Sequence, residues 1–120
     1  MKQNTSGLPH WYWHRGLHDA RILTTEEIEL PYDYTQRDPV RNCFRIHLDA
    51  SQAMFDTTVK SISLFNYKIL RDDTAGGLAG CYWKQDTLEF RNGKYRLELS
   101  VLGKSDLRFV IRFGHAEVCR

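Results

Sequence analysis

Two runs of apolar/polar alternation meet at Asn92-Gly93, and this limits what the chain can fold into more than any other feature. Trp83 to Arg91 lead into the dipeptide and Lys94 to Leu102 lead out of it. Asn-Gly is the strongest short hairpin signal, because a type I′ turn needs positive φ at both central residues. A two-residue turn pairs Arg91 with Lys94, Phe90 with Tyr95 and Leu88 with Leu97. The apolar pairs then share one face, and Trp83 comes to lie opposite Leu102 on the other. A third alternation, Leu107 to Phe113, follows the polar turn Gly103-Lys104-Ser105-Asp106. Leu97, Leu99 and Val101 must share a face with Phe109, Ile111 and Phe113. Pairing Val101 with Phe109 and Leu99 with Ile111 achieves this and requires an odd loop of three or five residues. The C-terminal third therefore reads as a three-stranded antiparallel meander.

The rest of the chain continues the β pattern. Ala20, Ile22, Thr24, Ile28 and Leu30 share one parity, predicting a long strand from His18 to Leu30, bulged near Thr25. Thr24-Thr25-Glu26-Glu27 resembles a helical capping box, but Pro31 closes the segment too soon for a helix. Phe44, Ile46 and Leu48 alternate with Cys43, Arg45, His47 and Asp49 in a second strand. Val59 to Leu70 reads as one further strand whose apolar parity switches near Leu64-Phe65, through a bulge or because both faces are covered. Gly114 breaks the last strand, and Ala116 and Val118 extend it. Asp49 to Phe55 has room for a single helical turn. The expected fold is all-β and mainly antiparallel, a curved β-sandwich or half-open barrel of about six strands with at most one short helical turn. Residues 1–9 read as a loose N-terminus and 10–120 as a single β domain.

Composition limits function. The chain has 120 residues, 17 of them basic and 15 acidic, with no block of five or six of one sign, so it exerts no long-range pull on nucleic acid or anionic membrane. Aromatic residues lie near cations at Tyr82-Trp83-Lys84 and Arg91 to Arg96. Asp86, Glu89 and Glu98 dilute that field, and nucleic acid is not expected as a partner. Cys43, Cys81 and Cys119 lack the spacing of a zinc site or a disulfide framework. Met1 to Gly7 leads into no apolar core and no stretch is long enough to span a bilayer, so a cytoplasmic location is expected.

The residues that could carry chemistry cluster near the start. His10-Trp11-Tyr12-Trp13-His14-Arg15-Gly16-Leu17-His18-Asp19 holds three of the five histidines. His10, His14 and His18 would share a helical face and could bind zinc, but in an extended chain they lie roughly 13 Å apart. No metal and no cofactor is expected. His18-Asp19 resembles a general base with its carboxylate, yet adjacent strand residues point to opposite faces. Cys43 and His47 fail as a nucleophilic pair for the same reason of distance, roughly 13 Å. The loop Tyr32-Asp33-Tyr34 is a candidate recognition loop, since tyrosines give large contact area at low entropy cost. Asp72-Asp73 before Gly76-Gly77 lacks the calcium-loop pattern and the phosphate-loop lysine.

The segment Trp13-His14-Arg15-Gly16-Leu17-His18-Asp19-Ala20-Arg21-Ile22-Leu23 resembles the opening of small bacterial single-domain β proteins of unknown function. These begin with an aromatic residue and then His-Asp-x-x-Ile on the first strand, and include immunity-like and mobile-element accessory proteins. The resemblance implies protein or ligand binding and supplies no catalytic residue. The expectation is a non-enzymatic binding module that meets a protein partner or a second copy through Trp11, Trp13, His14, His18 and Tyr34. The alternative is a small-molecule binder or minor enzyme with a pocket at the open end of the sheet, lined by Tyr82, Trp83 and His18.

Overall fold

The computed structural model describes residues 16–31, 34–35, 40–54, 57–74 and 76–120. Eight strands run in chain order: β1 Arg21–Glu29, β2 Asn42–Asp49, β3 Ser61–Phe65, β4 Lys68–Asp72, β5 Tyr82–Arg91, β6 Lys94–Leu102, β7 Asp106–Phe113 and β8 His115–Cys119. They form one antiparallel sheet in the order β4-β7-β6-β5-β1-β2-β3-β8. The fold is all-β, as the alternation predicts, and the described residues contain no helix. The turn expected after β2 is an Asx-type turn. Asp49 Oδ1 accepts from the Ser51 amide at 3.1 Å and the Ser51 hydroxyl at 2.7 Å, which diverts the backbone from a helical path.

The count is eight strands rather than six because two expected strands each divide. Val59–Leu70 breaks at Asn66, which takes φ 55°, a conformation asparagine tolerates better than most residues. The parity switch expected at Leu64-Phe65 is this bend. Across from it, Gly114 divides β7 from β8. The Gly114 amide donates to the Phe65 carbonyl at 2.9 Å, and a Cβ there would lie 3.4 Å from Lys94 Nζ and 3.8 Å from Asn66 Cβ. Pairing runs from Ser61↔Cys119 to Phe65↔His115, then resumes at Lys68↔Arg112 and Ile69↔Ile111 in unchanged register. Two long paired runs are therefore bent together. The first half of one and the second half of the other, β3 and β8, form one end of the sheet, and β4 and β7 form the other.

This bend curls the sheet without closing it. Phe44 on β2 stacks on Phe109 on β7 with ring centroids 5.6 Å apart, so the two ends of the sheet share one core. Ile22, Ile46, Ile62, Leu64, Leu99, Val101, Ile111 and Phe113 fill it, all essentially inaccessible.

The meander matches the sequence reading at its first turn and departs from it elsewhere. Asn92 and Gly93 take φ 54° and 76°, and Arg91↔Lys94, Phe90↔Tyr95 and Leu88↔Leu97 pair as expected. A bulge between Trp83 and Gln85 then shifts the register, so Trp83 opposes Val101 and Tyr82 opposes Leu102. The extra residue, Lys84, turns Trp83 into the core, where it is 3% exposed; the expected outward Trp83 is corrected. Between β6 and β7 the loop has three residues, Gly103 to Ser105. The pairs are Val101↔Leu107, Leu99↔Phe109 and Leu97↔Ile111. The faces are those expected, but the register is displaced by two residues. The observed register places Tyr95 opposite Phe113, with centroids 5.4 Å apart, and sets Leu107 beside the core.

The junction of β1 and β5 is the weak seam. It holds one ladder pair, Arg21↔Tyr82, with bonds from Asp19 N to Trp83 O (2.7 Å), Trp83 N to Ala20 O (2.8 Å) and Ile22 N to Cys81 O (2.8 Å). β1 bulges at Leu23 and β5 at Lys84. Beyond these bulges β1 is paired with β2 alone among the described residues.

Candidate functional site

Of the residues singled out from the sequence, His18, Tyr34, Tyr82 and Trp83 lie among the described residues. Trp11, Trp13 and His14, with His10, lie outside the described residues. Tyr34 is 88% exposed and Tyr82 45%. The buried Trp83 donates its indole N–H to Asp86 Oδ2 at 2.7 Å. Asp86 is itself 6% exposed, so the pair satisfies a polar group inside the core. With Trp83 inside and Tyr82 outside, the pocket proposed for Tyr82, Trp83 and His18 does not form.

His18 and Asp19 do converge, against the strand argument, because they sit in a turn before β1. Asp19 takes φ 74°, bringing its carboxylate back to Lys84 Nζ at 2.9 Å and to His18 Nε2 at 3.7 Å. His18 Nδ1 bonds the Lys84 carbonyl; a carbonyl only accepts, so Nδ1 carries the proton. The Lys84 hydrogen bond holds the Asp19 carboxyl below its ordinary value. This triad ties the turn to the bulged residue of β5 and presents no nucleophile.

The thiols and the cavities offer little more. Cys43 and Cys81 are buried and Cys119 exposed. Burial, then the charge of Asp72, pushes the Cys81 thiol up, away from reactivity. No three His, Cys, Asp or Glu side chains among the described residues are grouped to hold a metal. A cavity of about 650 Å³ opens between the loop 73–81 and the β6–β7 turn, lined by Thr74, Gly76, Gly77, Gly80, Lys104 and Ser105 among others. Its Thr74 hydroxyl is already committed to Asp72.

The outer face of β5, β6, β7 and β4 is different. Residues alternating with the core positions form rows across the strands. Tyr82, Leu102 and Asp106 make the first row. Thr87, Glu98, Val110 and Arg71 make a middle row, and Glu89, Arg96, Arg112 and Lys68 the next. In that last row three cations stand side by side, Arg96↔Arg112↔Lys68, with strand spacing near 4.8 Å. Arg91 and Lys94 pair with each other at the tip. Like charges directly opposite one another destabilise a sheet.

Carboxylates answer only part of this charge. Glu98 sits between Arg96 and Arg108, at 3.4 and 3.6 Å, and Asp73 pairs with Arg71 at 2.9 Å. Among the described residues, Lys68, Arg91, Lys94 and Arg112 form no salt bridge. Val110 faces outward yet is 2% exposed; its partners across the ladder are Glu98 and Arg71.

Sequence reasoning missed this row for a specific reason. With Leu99 opposite Ile111, Arg112 falls opposite Glu98, a matched pair. The true register moves Arg112 two residues along, opposite Arg96. The available signal was the three-residue loop starting at Gly103.

Architecture and surface together define a single-sheet antiparallel β domain with a basic outer face. Comparison with protein-family models, curated proteins and solved structures finds no match. No helix among the described residues is long and apolar enough to cross a membrane.

Proposed function

We propose that the domain is a non-catalytic binding module whose outer face of β5, β6, β7 and β4 receives an acidic protein surface. The observation that carries this reading is the row Arg96↔Arg112↔Lys68, which a sheet selected for stability alone would interleave with carboxylates. Arginine dominates the face, and its planar fork suits bidentate carboxylate contacts. Tyr82 and Leu102, in the first row, add the aromatic and apolar contacts typical of a protein interface. A protein partner is favoured over nucleic acid because Glu89 and Glu98 lie within the patch and Tyr82, its one aromatic among the described residues, stands at the far end. The N-terminal resemblance suggests an immunity-like or accessory role in a bacterial cytoplasm.

The test uses poly-L-glutamate as a model acidic surface. The wild-type chain should bind it with an affinity that falls steeply with salt, and Lys68→Gln/Arg96→Gln/Arg112→Gln should bind about tenfold or more weakly. Equal binding by the triple variant, or tighter binding of a single-stranded oligonucleotide of similar charge, would defeat the reading.

A further inference from the structure

The cavity of about 650 Å³ between the loop 73–81 and the β6–β7 turn holds none of the residues singled out from the sequence for binding. It joins two segments that the sequence keeps apart. Gly76-Gly77-Leu78-Ala79-Gly80 has the glycines of a phosphate cradle, but neither a lysine nor a serine follows them. The fold supplies both from the other wall. β7 pairs with β4 as well as with β6, and Lys104 and Ser105 of the turn line the same cavity as Gly76, Gly77, Ala79 and Gly80.

Both walls are held without a ligand. Leu78, 2% exposed, anchors the glycine loop in the core. The Gly77 amide donates to the Thr74 carbonyl at 2.6 Å, the Gly80 amide to the Ile22 carbonyl at 2.7 Å and the Cys81 amide to the Leu78 carbonyl at 3.0 Å. Gly77 and Gly80 take φ 94° and 86°, a region that favours glycine. On the facing wall the Gly103 amide donates to the Ser105 carbonyl at 3.1 Å. A Cβ at Gly103 would lie 3.3 Å from Cys81 Sγ, so the backbone of the turn rests directly on the Cys81 side chain.

Donors are what this space has left over. Among the described residues, the Lys104 ammonium, the Ser105 hydroxyl and the amides of Gly76, Ala79, Lys104 and Ser105 have no partner within the protein. The acceptors are taken: Arg71 holds the Asp73 carboxylate at 2.9 Å, and Asp72 holds the Thr74 hydroxyl. Backbone amides gathered around an ammonium suit an anion and repel a metal cation. We propose that this cavity binds a phosphate monoester. Its phosphoryl group carries three acceptor oxygens and close to two negative charges, enough to take donors from both walls at once. A volume of about 650 Å³ lies in the range of small-molecule sites and exceeds what a bare oxyanion fills. Ala79, Leu107 and the Cys81 thiol, which burial keeps protonated, offer apolar surface to the organic part. The walls are already in place, so little ordering is lost on binding. The same chemistry is presented by a free phosphorylated metabolite and by a phosphoserine side chain. The cavity shares no residue with the row Arg96↔Arg112↔Lys68 and does not rest on an acidic partner.

The experiment is an NMR titration of the full chain at neutral pH and constant ionic strength, read at the amides of Gly76, Gly77, Lys104 and Ser105. The probes are phenyl phosphate, Nα-acetyl-phosphoserine amide and sodium acetate. Saturable shifts are expected with both monoesters, tighter for phenyl phosphate if the source is a free metabolite and tighter for the phosphoserine derivative if it is a peptide. Lys104→Gln/Ser105→Ala should weaken binding about tenfold or more. Gly76→Leu should abolish it by filling the cavity. Gly76 lies outside the left-handed region and a Cβ there meets nothing within 4 Å, and all three positions are exposed, so folding is preserved. No saturable shift with either monoester, undiminished binding in Lys104→Gln/Ser105→Ala or in Gly76→Leu, or equal binding of acetate would overturn the proposal. Lys68→Gln/Arg96→Gln/Arg112→Gln should bind the monoesters like the wild type, so failure of this cavity and failure of the basic face are read separately.

Discussion

The sheet has two outer faces, and they handle charge in opposite ways. On β1, β2, β3 and β8 the row reads Glu26, Arg45, Ser63, Glu117. Opposite charges adjoin: Glu26 faces Arg45, bonds His47, and Arg45 Nε donates to Ser63 Oγ at 3.0 Å. On β5, β6, β7 and β4 the row reads Glu89, Arg96, Arg112, Lys68, with three cations in succession. Both rows rest on ordinary antiparallel ladders over the same core, so pleat geometry does not explain the contrast. A matched row looks after its own stability; a row of like charge does not, and it is the row that the proposed acidic partner would complement.

The comparison can be broken first at the turn that sets the basic face. Gly93 lies at φ 76° with open space around its missing Cβ, so Gly93→Val should fail through backbone strain alone. The expected cost is about 1–2 kcal/mol in urea unfolding, and unchanged stability would mean that the turn does not hold the hairpin. Single neutralisations on the two faces should then have opposite signs. Arg45→Gln removes a matched charge and should lower Tm by about 2–4 °C, whereas Arg112→Gln removes a mismatched one and should raise it by about 1–2 °C. Two shifts of the same sign would end the distinction.

Acid and alkaline titration sharpen it further. The His47 hydrogen bond holds the Glu26 carboxyl below its ordinary value. A depressed carboxylate contributes stability above its unfolded pKa and loses it as pH falls through the folded one. Glu26→Gln should therefore flatten the acid limb of a Tm-against-pH curve, and Arg112→Gln should leave that limb unchanged. At Tyr67 the sign reverses. Tyr67, raised from 10.0 to about 12, contributes fully below pH 10 and loses its contribution as pH rises through about 12. Glu27→Gln removes a cause of that elevation, and ultraviolet titration of tyrosinate should show the Tyr67 midpoint moved toward the ordinary value.

Strand positions were legible in the sequence because alternation reports a buried face directly. Asn92-Gly93 fixed the register of β5 against β6 near the turn for the same local reason. Legibility ended where an added residue or a displaced loop left parity intact. The three-residue loop after Leu102 moves β7 by two positions, which leaves every apolar residue on its expected side and so leaves no trace in the pattern. The bulge at Lys84 reverses Trp83, and only the partner strand reveals it. Asn66 and Gly114 could be read as irregularities, but that they coincide across a ladder is a long-range fact. The candidate surfaces depend on those same long-range facts. Arg96, Arg112 and Lys68 are far apart in sequence and become a row only through register, as Lys104 and Gly76 come to line one cavity only through the pairing of β4 with β7. The aromatic segment that drew attention in the sequence was conspicuous by composition, which carries no pairing information.

The shared bend at Asn66 and Gly114 has a kinetic consequence. Since both ends of the sheet belong to the same two stretches of polypeptide, neither end can be completed before the other's strands are in place. The hairpins of the meander can form from nearby residues, but seating Ser61–Phe65 against His115–Cys119 requires closure of a large chain loop. Assembly should therefore be governed by a late, non-local docking event, and refolding should fall in the slow range typical of high-contact-order β proteins.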